Sequence, residues 1–260
     1  MTAPAVTPIA SRDNPLFKDL RRLSQDAAAY RRMGRVWLEG DHLCRAAQHR
    51  GVMPAVAVFA DSCAAHLRAE LSAGAQRIVT LTDALFDGIS ALESPARMGF
   101  VIELPVAAAL QPRAATVVLD RLQDAGNVGS ILRSAAAFGL HQVIALKGTA
   151  ALWSPKVLRA GMGAHFGLKL HEGLAPGDLD ALSVPLIVTS SHEGLLLQDQ
   201  RLPWPCAWVL GHEGQGVSAE VTARAGLSVR IGQPGGEESL NVAAAAAICL
   251  HASALSASDG

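Results

Sequence analysis

Cysteine is scarce, and no two cysteines stand close together. Cys44, Cys63, Cys206 and Cys249 are scattered with no CxxC among them. That speaks against a zinc site and reads as four reduced, mostly buried thiols of a cytoplasmic protein. No HExxH occurs among the nine histidines, so no metal is expected. His192-Glu193 and His212-Glu213 each open an HEG triplet, too short to distinguish from chance. No charge-free apolar run reaches the roughly 18 residues of a membrane span, so no transmembrane helix is expected. The N-terminus MTAPAVTPIASRDNP lacks a basic stretch followed by an apolar one and is no secretory signal. Neither sign of charge dominates. With 22 Lys/Arg against 23 Asp/Glu the net charge is −1, so no overall basic field advertises a nucleic-acid partner, although a local patch suffices for one.

What is present is apolar. Half of the 260 residues are hydrophobic and only 17% are charged, which excludes disorder and supplies a core. The length exceeds the usual run of about 100–200 residues per domain, so one large or two modest domains are expected. The segment ELPVAAALQPRAA (103–115) has two prolines and no helix start, and places a boundary near residue 110. Residues 1–50 hold nine Lys/Arg against five Asp/Glu. Lys18, Arg21, Arg22, Arg31, Arg32 and Arg35 crowd there, either as a solvated helix face or as phosphate contacts.

Before the boundary the pattern alternates. A polar helix over 18–30 precedes a strand near Val36, then a helix from Asp41 to Gly51 and a strand at 55–60. A helix at 62–73 leads to strands at 77–81 and 99–104, a small α/β domain. After it the alternation is clearer. TVVLDRL (116–122) reads as a buried strand, and Asn127 as the cap of a helix that Gly139 stops. Strands follow at 141–147, 185–191, 206–211 and 227–232. Helices are expected from Pro155, over VSAEVTARAG, and from Ser239 to near the end. Apolar strands separated by helices imply a parallel sheet covered on both faces.

In such sheets ligands bind beyond the carboxyl ends of the strands. Three segments in that position are unusual. LDRLQDAGNVGSILRSAAAFG (119–139) carries Arg133 in a helix otherwise of small and apolar residues, where a lone Arg either snorkels to solvent or meets an anion. VLGHEGQGVS (209–218) places Gly211, Gly214 and Gly216 around one carboxylate, as an ordinary tight turn or as backbone opened to a ligand. It is neither GxGxxG nor a Walker loop. IGQPGGEESLNVAAAAAICLHA (231–252) offers Ser239 and Asn241 at a helix start, as a plain cap or as polar ligand contacts.

The order and spacing of these segments resemble the SpoU (TrmH-like) branch of the SPOUT RNA methyltransferases. The first resembles that family's motif 1, through Asn127, Gly129 and Arg133; the second motif 2, through Glu213; the third motif 3, through Ser239, Leu240 and Asn241. KVLRAGMGAHFGLKL (156–170) resembles a further family segment. Residues 11–51 resemble the substrate-binding domain of rRNA-modifying members through Ser11, Asn14, Lys18, Leu20, Leu23, Arg31, Leu38, Glu39 and Gly40. Two positions depart: Ala125 stands where proline is usual, and Gly161 where serine is common.

The resemblance implies an α/β protein: a C-terminal SPOUT domain over 111–260, a deep trefoil knot with a parallel sheet, and a smaller N-terminal α/β domain over 1–110, L30e-like, that binds RNA. It implies methyl transfer from S-adenosylmethionine to a ribose 2′-hydroxyl of RNA by a homodimer. Asn127, Arg133, Glu213, Ser239 and Asn241 would be the catalytic set. Glu213 would hold its loop or pair with Arg133, and Asn127 would orient Arg133 or the ribose. Thr189, Ser190, Gly194, Leu210, Gly211, Gly216, Ile231, Ser239 and Leu240 would hold the cofactor. The long N-terminal part favours large-subunit rRNA over tRNA as substrate. A protein of this fold that binds RNA or assists ribosome assembly without catalysis, and a Rossmann-type nucleotide enzyme, are the rival readings.

Overall fold

The computed structural model describes residues 5–190, 194–235 and 239–258. Ser191, at the end of one expected strand, His192 and Glu193 of the first HEG triplet, and Gly236 of the Pro-Gly-Gly loop lie outside them. In chain order the elements are β1 (Val6–Ile9), α1 (Pro15–Gln25), α2 (Ala29–Met33), β2 (Arg35–Glu39), α3 (Asp41–His49), β3 (Val56–Ala60), α4 (Ala65–Leu71), β4 (Arg77–Leu81), α5 (Asp83–Ile89), β5 (Met98–Glu103), β6 (Thr116–Asp120), α6 (Ala125–Ala137), β7 (Gln142–Leu146), α7 (Pro155–Gly161), β8 (Lys169–Leu174), β9 (Leu186–Thr189), β10 (Leu195–Leu196), β11 (Ala207–Gly211), α8 (Ala219–Thr222), β12 (Leu227–Arg230) and α9 (Val242–Ser258). They form two compact units, Met1–Val106 with Trp153–Phe166, and Ala107–Leu152 with Gly167–Gly260.

The first unit is a five-stranded mixed sheet in the order β1-β4-β3-β5-β2. β1, β4 and β3 run parallel, while β5 is antiparallel to both β3 and β2. Leu20 and Leu23 from α1 and Phe86 and Ile89 from α5 pack on Val58, Val79 and Val101 of the sheet. The helix expected over 18–30 is broken. Asp26 turns into extended backbone after α1, and its carboxylate accepts the N–H of Ala28, which competes with the helical ladder. β1 and α5 escaped the sequence reading. β1 contains Pro8 and lies on a sheet edge, where a missing donor is tolerated. α5 is a short helix capped by Thr82.

The sequence boundary near residue 110 falls a few residues late. The segment from Ala107 belongs to the second unit, where buried Gln142 accepts the N–H of Gln111 at 2.8 Å and donates to its carbonyl at 3.2 Å. Residues 153–166, read as part of the second domain, group with the first unit. There α7 buries Val157 and Leu158, and Gly163 lies so close to α3 that an added Cβ would sit 2.4 Å from that of Ala46. The departure at Gly161 has a steric account as well. A Cβ there would lie 2.5 Å from Cε1 of buried His165, so serine would require that ring to shift.

The second unit is a seven-stranded sheet in the order β10-β12-β9-β11-β6-β7-β8, with every pairing parallel. β6, β7 and β11 are buried at every residue. This is the continuous apolar pattern that a sheet covered on both faces requires. Val118, Ile144, Val188 and Val209 pack under α8 and the 176–181 turn. Elsewhere Trp208 donates its indole N–H to Ser253 of α9 at 2.7 Å. β8 was missed because Lys169, His171, Glu172 and Gly173 leave it no apolar run. β10 has only two residues, too short to signal itself.

Two helix starts differ from expectation. Asp124, not Asn127, caps α6, its carboxylate accepting the Asn127 N–H at 2.7 Å. Asn241, not Ser239, caps α9, accepting the N–H groups of Ala243 at 2.9 Å and Ala244 at 3.2 Å. Ala125 is therefore the first residue of α6, the position that suits proline, and Asp124 already holds the extended backbone that a following proline demands. Ala125→Pro is expected to raise stability by about 0.4–1 kcal/mol by narrowing the unfolded ensemble, as a shift in the urea midpoint at unchanged slope.

Candidate active site

Parallel pairing places the carboxyl ends of β12, β9, β11 and β6 along one edge. Val229 pairs with Thr189, Val209 with Val188, and Gly211 with Asp120. β11 is inserted between β6 and β9, both earlier in the chain. That insertion is what makes the segments after β6 and β11 neighbours.

The segments are tied together by side chains. Glu213, in the turn after β11, accepts the backbone N–H of Asp124 at 3.2 Å and of Gln123 at 3.4 Å. Its Oε1 also accepts Nδ2 of Asn127 at 3.3 Å. Asn127 in turn accepts, through Oδ1, the Nδ2 of Asn241 at 3.0 Å. One relay, Glu213–Asn127–Asn241, thus joins all three unusual segments. Burial alone pushes the Glu213 carboxyl upward. Hydrogen bonds from its own N–H, the Asn127 amide and the Asp124 and Gln123 N–H groups outweigh that and hold it below the ordinary carboxylate range.

A second tie was not anticipated. Asp120, 1% exposed at the end of β6, accepts the Ser218 N–H at 2.6 Å. Its other oxygen accepts Nε of Arg121 at 3.1 Å. Arg121 reaches on to Oε1 of Gln215 at 3.0 Å and the carbonyl of Gly216 at 3.4 Å. Its backbone is left-handed, φ +60°, a conformation that costs a residue other than glycine about 1–3 kcal/mol. The sequence could have flagged a buried strand-end carboxylate followed by an arginine, but not the backbone that aims them.

The 212–216 turn itself is tight. His212 and Gly216 exchange backbone hydrogen bonds, and the turn folds back on Gly211, where a Cβ would lie 2.2 Å from both Gly216 C and Val217 N. No side chain fits at Gly211.

Residues 114–251 match the model of the SpoU rRNA Methylase family. The chain is 30% identical over 218 residues to the 23S rRNA (guanosine(2553)-2′-O)-methyltransferase RlmP of Bacillus subtilis, covering 82% of this chain and 86% of that one. This chain belongs to the SpoU family.

It is an RNA methyltransferase of that family and has the SPOUT fold. A TrmH-family protein from Porphyromonas gingivalis superposes with a TM-score of 0.80 at 30% identity, over 91% of this chain and 95% of that one. The SpoU methyltransferase AviRb from Streptomyces viridochromogenes, solved with the cofactor AdoMet, shares the fold with a TM-score of 0.86 at 23% identity, over 95% and 99%.

The remaining family positions divide by environment. Leu210 and Gly211 are buried, Thr189, Ser190 and Ile231 half-buried, and Gly216, Ser239 and Leu240 exposed. Thr189 donates to the Val209 carbonyl at 3.3 Å, which links the β9 and β11 ends. Gly194, at φ +102°, presses on the Ser228 carbonyl, 2.6 Å from where a Cβ would be. Arg133 lies exposed on α6, and among the described residues its guanidinium has no hydrogen-bond or salt-bridge partner. Glu213 therefore holds the loop and does not pair with Arg133, and the partners of Asn127 are Glu213 and Asn241.

In the first unit the six basic residues are exposed. Lys18 pairs with Asp13, Arg32 with Asp26 and Arg35 with Glu103, while Arg31 lies over the Tyr30 ring. Arg21 and Arg22 have no ion pair among the described residues. The four cysteines are buried and free, and burial pushes the Cys206 and Cys249 thiols up to about 11 and about 12.

The lowered Glu213 carboxyl has a pH consequence. Its contribution to stability is complete above the ordinary carboxylate pKa and disappears as pH falls through its depressed folded-state value. Glu213→Gln removes the titrating group. The stability gap between parent and variant, read by denaturant titration across the acid range, is expected to exist at neutral pH and to close on acidification. A gap that does not change with pH would contradict this account.

Proposed function

We propose that this SpoU-family enzyme transfers a methyl group from S-adenosylmethionine to a ribose 2′-hydroxyl of large-subunit rRNA. The observation that carries the reading is the Glu213–Asn127–Asn241 relay, which assembles three strand-end segments, with the Arg133 guanidinium, on the same helix as Asn127, unpartnered among the described residues.

The residues present fit the donor. Backbone from three adjacent strand ends is available around Thr189, Leu210, Gly211 and Ile231. Oε1 of Gln233 is buried with no hydrogen-bond partner among the described residues, an acceptor awaiting a donor. Leu240 offers apolar surface, 39% exposed. When bound, S-adenosylmethionine supplies a sulfonium methyl that needs no further activation. The protein's task is alignment.

Arg133 is the residue for that task. A guanidinium with a pKa above about 12 is a poor base but a good fork for a phosphate and an adjacent 2′-oxygen. Arg133 holds the nucleophilic oxygen, and the hydroxyl proton leaves to phosphate or water. Asn127 and Asn241 occupy each other and Glu213, so they keep the motif segments in register for the ribose. Ser239, whose side chain has no hydrogen bond among the described residues, is left to contact cofactor or ribose.

Support for rRNA comes from the first unit and from the 23S rRNA activity in the name of the Bacillus subtilis relative. Arg21 and Arg22 on α1, without an ion pair among the described residues, grip folded RNA through its phosphates. The enzyme acts as a homodimer. Ile248 and Leu255, 42% and 56% exposed and seven residues apart on α9, are apolar surface for a second copy.

Incubation with labelled S-adenosylmethionine and separate rRNA and tRNA pools, followed by mapping of alkali-resistant linkages, tests the substrate. Label in tRNA alone would replace the rRNA assignment, and binding without transfer would leave an RNA-binding protein. Arg133→Ala is expected to cut transfer at least about a hundredfold while the cofactor Kd, read by calorimetry, stays within about twofold. Turnover near the parent rate would remove Arg133 from the mechanism. Full activity in Arg133→Lys would show that charge suffices without the fork.

A further inference from the structure

We propose that Arg121 is a positioning residue, clamping the 212–218 turn in the shape that receives the methyl donor. The proposal rests on the function given above, and the clamp itself is visible without it.

Three loops meet at this side chain. Its guanidinium bonds the Asp120 carboxylate behind it and Gln215 Oε1 and the Gly216 carbonyl in front. Its backbone N–H donates to Thr149 Oγ1 at 3.1 Å, in the loop after β7. Its stem passes Gly148 so closely that a Cβ there would lie 3.3 Å from Arg121 Cγ. Thr149 itself donates to the Leu119 carbonyl at 2.9 Å, completing the frame.

The turn so held is the one whose shape matters. It packs on Gly211 with no room for a side chain, and its Glu213 anchors the start of α6. Asp120 fixes its far end through the Ser218 N–H. Arg121 fixes the middle, at Gln215 and Gly216. A charge partner for buried Asp120 would suffice if neutralisation were the whole purpose, and lysine could provide it. Two front contacts spread over adjacent residues require the planar fork.

The backbone points the same way. Asparagine and glycine adopt φ near +60° with less strain than arginine. A strained conformation held by contacts on every side marks a position whose side chain is used.

Arg121→Asn separates the clamp from the backbone, because asparagine tolerates the left-handed conformation but cannot span to Gln215. In the protein without cofactor, amide hydrogen exchange over 212–218 is expected to quicken at least about tenfold in this variant. The KM for S-adenosylmethionine is expected to rise about tenfold, with kcat at saturation within about threefold of the parent. Arg121→Lys falls between. Exchange and KM both within about twofold of the parent would overturn the proposal, as would a fall in kcat at constant KM, which would place Arg121 on the reacting atoms. Should Arg121→Asn not fold, Gln215→Ala, which removes one front contact, decides: faster exchange over 212–218 supports the clamp, and unchanged exchange overturns it. If the parent enzyme transfers no methyl group, the functional reading fails, and the exchange experiment still judges the clamp.

Discussion

The Glu213 carboxylate receives backbone N–H groups from a different part of the chain, and much of the second unit is arranged to let it. Gln123 and Asp124 belong to the turn entering α6, and Glu213 follows β11, some ninety residues later. The bond forms only because β11 slots between β6 and β9, so that two strand ends distant in sequence share one edge. Once Glu213 is in place, Asn127 is held by it and Asn241 by Asn127. The start of α9, the last element of the chain, is then fixed relative to the first strand of its unit.

The site is built from backbone more than from reactive groups. Gly211 leaves no space for a Cβ, Gly194 takes a positive φ against a carbonyl at no strain, and Arg121 takes a left-handed φ without being glycine. Polar side chains mostly hold loops: Asp120 the Ser218 amide, Glu213 the α6 entrance, Thr149 the Leu119 carbonyl. That economy suits a reaction whose electrophile arrives activated, since little remains beyond alignment. Arg133 is the exception, a guanidinium that holds no loop and has no hydrogen-bond or salt-bridge partner among the described residues.

Departures from the family pattern acquire local reasons here. Ala125 occupies the first helical position behind an Asp124 cap, so the helix starts without proline and forgoes only its preorganisation. Gly161 lies under the His165 ring, which would have to move for any side chain there. Neither change touches the relay between motifs. The basic N-terminal stretch is less uniform than its composition suggests, because Lys18, Arg32 and Arg35 are spent on nearby carboxylates. Arg21 and Arg22 have no carboxylate partner among the described residues.

Read alone, the sequence determined the strands that sit in the middle of a sheet. The apolar runs at 56–60, 116–120, 142–146 and 207–211 are buried on both faces and need no partner to be recognised. It also determined that something polar gathers after them, around Asn127, Glu213 and Asn241. The edge strands β1 and β8 escaped, because β1 with its proline and β8 with its charges have no apolar run to show, whereas the edge strand β2 was read from its apolar Val36, Trp37 and Leu38. Helix starts shifted by two or three residues, because Asp124 and Asn241 compete with equally plausible neighbours, Asn127 and Ser239, for the cap. Only the tertiary structure decided who bonds whom. Strand order places Glu213 against residues 123–127, draws Asn241 onto Asn127, and sets Arg121 in a left-handed turn beside Gln215. No local pattern encodes those pairings, because they depend on which strand lies beside which.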